Sequence, residues 1–212
     1  MTMFTRNPIR PLAVLLLPWF LPGCLPKPTT ISTRNFLLSP LPAISAPAAS
    51  ASSGPAIGIG IVKLPDYLLK PSLAVRSSTN EITYLQSSLW AERLDNSFQQ
   101  ILAANLSVLL PTERIRLSSW TRDEVSYAVY VSVDRFEVDS EGTGTLIAWW
   151  RIASSSTGQP PVSGAFREIQ PGPAPSQHPE AVAATLSRLT DRLSQRIAKA
   201  LHDSLVPGLP RS

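Results

Sequence analysis

The chain has one cysteine, two histidines, few charges and no apolar run long enough to cross a bilayer. One cysteine in 212 residues excludes any disulfide within the chain. Two histidines, His178 and His202, without a partner at ligand spacing, exclude the common zinc and triad patterns. There is no HExxH, GxSxG, CxxC or acidic metal loop. Charged residues make up 16% of the chain, and the net charge of +4 comes from scattered arginines, not from a basic run. That pattern describes a solvated mixed surface and argues against a nucleic-acid interface. No metal, cofactor or nucleic acid is expected. The most apolar stretch, Leu12–Leu21, contains Pro18. It falls short of the ~20 residues that a membrane span requires, and the proline would break a spanning helix.

The N-terminus carries its own signal. Arg6 and Arg10 precede the Leu12–Leu21 run, and Leu21-Pro22-Gly23-Cys24 follows it. A positive start, a short apolar core and a small residue at the cut site are the parts of an export signal. A cysteine directly after the small residue resembles a bacterial lipobox, in which the thiol is acylated and the signal is cut before it. Cys24 is therefore the expected lipidation site. Lipidation also accounts for the lone thiol, since a free cysteine in an exported chain would be unusual, and each buried CH₂ of an acyl chain contributes ~0.8 kcal/mol of anchoring. Cleavage removes residues 1–23 and two arginines with them, which lowers the net charge. Residues 24–34 read as a lipidated tether, which keeps the folded body near its membrane. The domain proper is expected over 35–206, with a tail at 207–212.

Periodicity lays out the domain. Asn35–Leu41 is a candidate strand, and the Ala/Ser/Pro-rich stretch 42–55 is a loop. Ile57-Gly58-Ile59-Gly60-Ile61-Val62 alternates with period two, so a strand is expected with all three isoleucines on one face. Its glycines do not have the spacing of a phosphate loop. Leu73–Arg76 and Glu81–Tyr84 are short strands around a turn. Apolar residues from Trp90 to Leu106 recur at helical spacing, which predicts a helix from about Ser88. Arg114–Trp120 is a strand. Tyr127–Val138 and Thr143–Ala153 form a long hairpin about Gly142, and Gly164–Gln170 adds a strand. Pro179 opens a last helix with one apolar stripe: Val182, Leu186, Leu189, Leu193, Ile197, Leu201 and Leu205. The sum is an α/β single domain, a mixed β-sheet covered by two main helices.

Candidate contact residues follow from one dipeptide. Trp149 and Trp150 are neighbours in a strand, so they face opposite sides of the sheet. One belongs to the core. The other must be covered by a helix, a partner or lipid, and helices over both faces are the simplest cover. Both tryptophans are candidate partner contacts. Asp123-Glu124 reads as loop charge. Asn105-Leu106-Ser107 fits a glycosylation pattern, but it lies at a predicted helix end.

These pieces, in this order, resemble the ABC-type transport auxiliary lipoproteins (PqiC-like). The resemblance rests on the lipobox Cys24, the strand Asn35–Leu41 and Ile57-Gly58-Ile59 followed by Leu64-Pro65-Asp66-Tyr67-Leu68. It rests further on Tyr84-Leu85-Gln86-Ser87-Ser88-Leu89-Trp90-Ala91-Glu92-Arg93-Leu94, on Val133-Asp134-Arg135-Phe136-Glu137 and on the closing amphipathic helix. It implies a non-enzymatic subunit of an MCE-type lipid transport system, docked on an MCE-domain conduit and held by lipid in the outer membrane, facing the periplasm. Leu25 after the cysteine agrees with outer-membrane sorting. A homo-oligomer is compatible with the same role. Two rival readings are a lipoprotein that activates a cell-wall synthase and a periplasmic hydrolase, the latter without any convergent polar site in the sequence.

Overall fold

The computed structural model describes residues 32–42, 54–117, 119–155 and 159–205. All of them fall in one unit that begins at Ser32. The signal segment, Cys24, most of the 42–55 loop and the C-terminal tail lie outside the described residues.

Eight strands form one mixed sheet, and two helices pack on it. The strands are β1 (Arg34–Phe36), β2 (Ile57–Ile59), β3 (Ser72–Ser78), β4 (Glu81–Trp90), β5 (Ile115–Leu117), β6 (Tyr127–Asp139), β7 (Gly144–Ser154) and β8 (Val162–Gln170). The helices are α1 (Leu94–Leu109) and α2 (Pro179–Leu205), and a 3₁₀ turn covers Asp66–Leu69. The long β6 organises the sheet. One edge pairs antiparallel with β7, which pairs antiparallel with β8. Its other edge is shared. Tyr127–Val129 pair in parallel with β2, and Val138–Asp139 pair in parallel with β3. β5 continues the sheet beyond β2, and β4 then β1 continue it beyond β3.

Both helices lie on the same face. Phe98 of α1 meets Phe136 of β6 edge-on, with ring centroids 5.0 Å apart. A Cβ on Gly144 of β7 would run into Thr185 and Leu189 of α2. The stripe predicted for α2 is the core: Val182, Leu186, Leu189, Leu193, Ile197 and Leu201 are all buried. Burial of such side chains contributes roughly 1.5–3 kcal/mol each. Ser187, Thr190 and Ser194 are buried among them, and each hydroxyl donates to the carbonyl four residues back. That bond satisfies a polar group in an apolar setting.

Four expectations are corrected. The helix expected from Ser88 starts at Leu94, because Ser88–Trp90 are held as strand from both edges. They pair with Arg34–Phe36 on one side, and on the other Leu89 pairs with Ser72 while Trp90 N donates to Pro71 O at 2.7 Å. Tertiary pairing here overrides helical spacing. The first strand ends at Phe36, not Leu41, because the following N–H groups turn to the helices. Ser39 N donates to Ser187 Oγ and Leu41 N to Asn105 Oδ1. The second strand ends at Ile59, and Ile61 is 72% exposed. Gly60 N donates to Val129 O and the next bond is Lys63 N to Val131 O, so three steps on one strand face two on the other. That extra residue is a bulge, and it turns Ile61 outward. Finally, the strand expected over Arg114–Trp120 covers only Ile115–Leu117, and Trp120 leaves it to cover Gly58.

Candidate functional site

A second bulge sets the polarity of the open sheet face. The β6–β7 register shifts between Val133 and Arg135. Before the shift, Val129, Val131 and Val133 face the helices; after it, Phe136 and Val138 do. Asp134, Arg135 and Glu137 therefore share the opposite face. Trp149 and Trp150 divide as neighbours in a strand must. Trp150 is 6% exposed and lies in the core, whereas Trp149 is 57% exposed. Trp150 fits because its cross-strand partner is Gly164: a Cβ there would come within 2.6 Å of the indole. The expectation of helices over both faces does not hold. Both helices cover the Trp150 side, which leaves Trp149 as the candidate contact and removes Trp150 from that role.

Trp149 stands between two small residues, Ser132 of β6 and Ala165 of β8. Its indole N–H donates to Asp134 Oδ2 at 3.1 Å, which fixes the ring against the bulge. Around it on the same face are Tyr130, Ile147, Arg151, Arg167 and Ile169. The Arg151 guanidinium lies 5.0 Å above the Tyr130 ring, a cation–π arrangement. Tyr130 in turn covers Gly60, and Trp120 covers Gly58 with its ring 6.4 Å from that of Tyr130. The two glycines of the Ile-Gly-Ile-Gly segment thus let aromatic rings come close against the backbone. They serve packing, in keeping with the reading of that segment as a strand.

One polar cluster on this face was not singled out from the sequence. Glu137 is 1% exposed. Its carboxylate accepts from Tyr67 Oη at 2.6 Å, Arg76 Nε at 2.7 Å, Arg135 Nε at 2.9 Å and the Phe136 N–H at 3.2 Å. Burial pushes the carboxyl up, but the hydrogen bonds from Tyr67, Arg76 and Arg135 outweigh it, and the group sits below the ordinary carboxylate range. Burial, with the Glu137 bond and charge, holds the Tyr67 hydroxyl well above its ordinary value. The signal was present: Arg135 and Glu137 are two apart in a strand and so share a face, and Glu137 stands between Phe136 and Val138.

The histidines are surface groups. His178 Nδ1 lies 3.2 Å from Glu180 beside the start of α2, and His202 is exposed near its end. Asp123 and Glu124 lie in a loop, where Glu124 accepts from the Thr121 N–H. Among the described residues no group of three or more His, Cys, Asp or Glu could hold a metal ion. No described helix is long and apolar enough to cross a membrane.

Solved structures share this architecture. An uncharacterised protein superposes with a TM-score of 0.63 at 20% identity, over 80% of this chain and 99% of its own. A Xanthomonas campestris protein of family DUF330 gives 0.61 at 15% identity, over 82% and 100%. At such identities the likeness is one of fold. No curated protein matches the chain. The family model for the ABC-type transport auxiliary lipoprotein component matches residues 36–198, which span the sheet and most of the last helix. The chain belongs to the ABC-type transport auxiliary lipoprotein family.

Proposed function

We propose that the protein is a non-enzymatic subunit of an MCE-type system that carries lipid between the two membranes of a bacterial envelope. Lipid on Cys24 holds it in the outer membrane, facing the periplasm, and the sheet face around Trp149 docks on the MCE-domain conduit. Family membership supports the transport role. The observation that carries the docking surface is the exposure of Trp149, midway along β7, on a face that neither helix covers. Trp, Tyr and Arg dominate the few residues that supply most interface energy, and Trp149, Tyr130, Arg151 and Arg167 are such a set. The solvated surroundings of both histidines support a binding role over a catalytic one.

The test is co-purification. The lipidated chain, extracted in mild detergent, should bring down an MCE-domain protein, and Trp149→Ala should reduce that recovery at least fivefold while the domain stays folded. Recovery of a cell-wall synthase in place of the MCE protein would overturn the assignment. Full recovery with Trp149→Ala would move the docking surface elsewhere. Hydrolysis of a lipid or glycan by the purified chain alone would overturn the non-enzymatic reading.

A further inference from the structure

β3 and β6 run in parallel, so the turns that follow them leave the sheet at the same end. Between the β3–β4 turn and the β6–β7 turn lies an open cleft of about 420 Å³, within the range of small-molecule sites. Arg76 and Arg135 line it together with Ser77, Ser78, Thr79 and Ser140, and Asp139 and Glu141 complete it. The buried Glu137 carboxylate holds both arginines, each through its Nε only. Arg76 Nη1 donates to Thr79 O at 3.0 Å. Among the described residues the Arg135 Nη groups meet no acceptor. Two guanidinium groups on one carboxylate leave one positive charge in excess. Arg135 lines the cleft with its side chain about a third exposed, so its Nη groups stay accessible from it.

The opposite charge lines the same cleft. Asp139 Oδ1 is fixed by the N–H groups of Glu141 and Thr143, at 3.0 and 2.8 Å, and Glu141 is exposed. The cleft therefore presents two guanidinium groups and hydroxyl donors beside two carboxylates, with Asp139 the cross-strand neighbour of Arg76. A phosphate monoester would bring two negative charges against those carboxylates. A phosphodiester brings one, and guanidinium forks match its paired oxygens. We propose that this cleft binds a zwitterionic phosphodiester, its phosphate on Arg76 and Arg135 and its ammonium group beside Asp139 and Glu141. Glycerophosphoethanolamine in solution and a phosphatidylethanolamine headgroup in a bilayer present the same chemistry. The site rests on the cleft alone and does not depend on the partner docked at Trp149.

The experiment follows backbone amide resonances of the mature lipidated chain. In detergent, glycerophosphoethanolamine should saturably shift residues 76–79 and 139–141, and Arg135→Gln should weaken the apparent affinity about tenfold, the loss expected for a hydrogen bond to a charged group. Glu141→Gln, at an exposed position, should weaken glycerophosphoethanolamine and should not weaken glycerophosphoglycerol. In nanodiscs, the same shifts with phosphatidylethanolamine but not phosphatidylglycerol identify the headgroup as the source; shifts in the soluble arm alone identify the free diester. An equal response to inorganic phosphate, or no saturable shift in either arm, overturns the proposal. The wild-type titrations decide the matter even if a variant fails to fold.

Discussion

Asn105 Nδ2 donates to Asp191 Oδ1 at 2.9 Å, and that bond joins the two helices across their contact. The same amide donates to Ser194 Oγ at 3.1 Å, and its oxygen accepts the Leu41 N–H at 2.7 Å. One side chain thus ties α1, α2 and the segment after β1. Asn105 is fully buried, so the Asn-Leu-Ser pattern is a structural one and not a site for sugar. Asn105→Ala leaves the Leu41 N–H and Asp191 without this partner. A fully buried group left unpaired costs about 1–3 kcal/mol, and these two are half-buried, so each contributes less than that. The variant should unfold at a clearly lower denaturant midpoint with an unchanged m-value. A midpoint equal to the parent would show that water replaces the amide at no cost.

The tryptophan pair separates stability from binding. Trp150→Ala empties a space in the core that Gly164 leaves for the indole and should cost about 3–5 kcal/mol. Trp149→Ala removes a mostly exposed ring and one indole bond to Asp134, and it should change stability by no more than about 1 kcal/mol. Paired chemical denaturation curves check both. Equal losses at the two positions would mean that the Trp149 ring is packed as tightly as its neighbour.

What was legible in the sequence was what periodicity encodes. The α2 stripe reads correctly because six apolar residues at helical steps admit one burial pattern. The β6–β7 hairpin reads correctly for the same reason at period two. The start of α1 does not, because Ser88–Trp90 are extended by pairing with Arg34–Phe36, some 50 residues away in sequence. The bulge at Asp134 is equally silent, since no residue type demands it; yet it decides that Phe136 enters the core and Glu137 does not. Of the candidate site, adjacency alone placed the two tryptophans on opposite faces. Which of them was exposed depended on Gly164 and on both helices choosing one side.

The proposed lipidation of Cys24 predicts that Cys24→Ser changes compartment without changing the fold. Cys24 precedes the described domain, which begins at Ser32. Cys24→Ser in the expressed chain should abolish labelling by a fatty-acid analogue and move the protein out of the detergent phase on phase separation. The thermal midpoint of its folded domain should stay that of the parent. Retention in the detergent phase with labelling lost would place the membrane attachment in another segment.

Glu137 predicts the shape of the acid limb. Its folded-state pKa lies below the ordinary carboxylate value of ~4.3. A group depressed in this way contributes stability that is present above the unfolded-state pKa and is lost as pH falls through the folded-state value. Asp191 has the opposite sign: burial raises it against the Asn105 bond, so its contribution is lost as pH rises through a value above the ordinary one. Wild-type stability is the sum of both, and a difference curve isolates Glu137. Glu137→Gln should be less stable than the parent at pH 7, because Arg76 and Arg135 lose their anion. The deficit should hold constant down to about pH 5 and then shrink below about pH 4, as the parent's carboxylate takes up its proton. Urea midpoints of both proteins from pH 7 to pH 3 measure it. A deficit that stays constant down to pH 3 would show that the two arginines do not depend on the charge of Glu137.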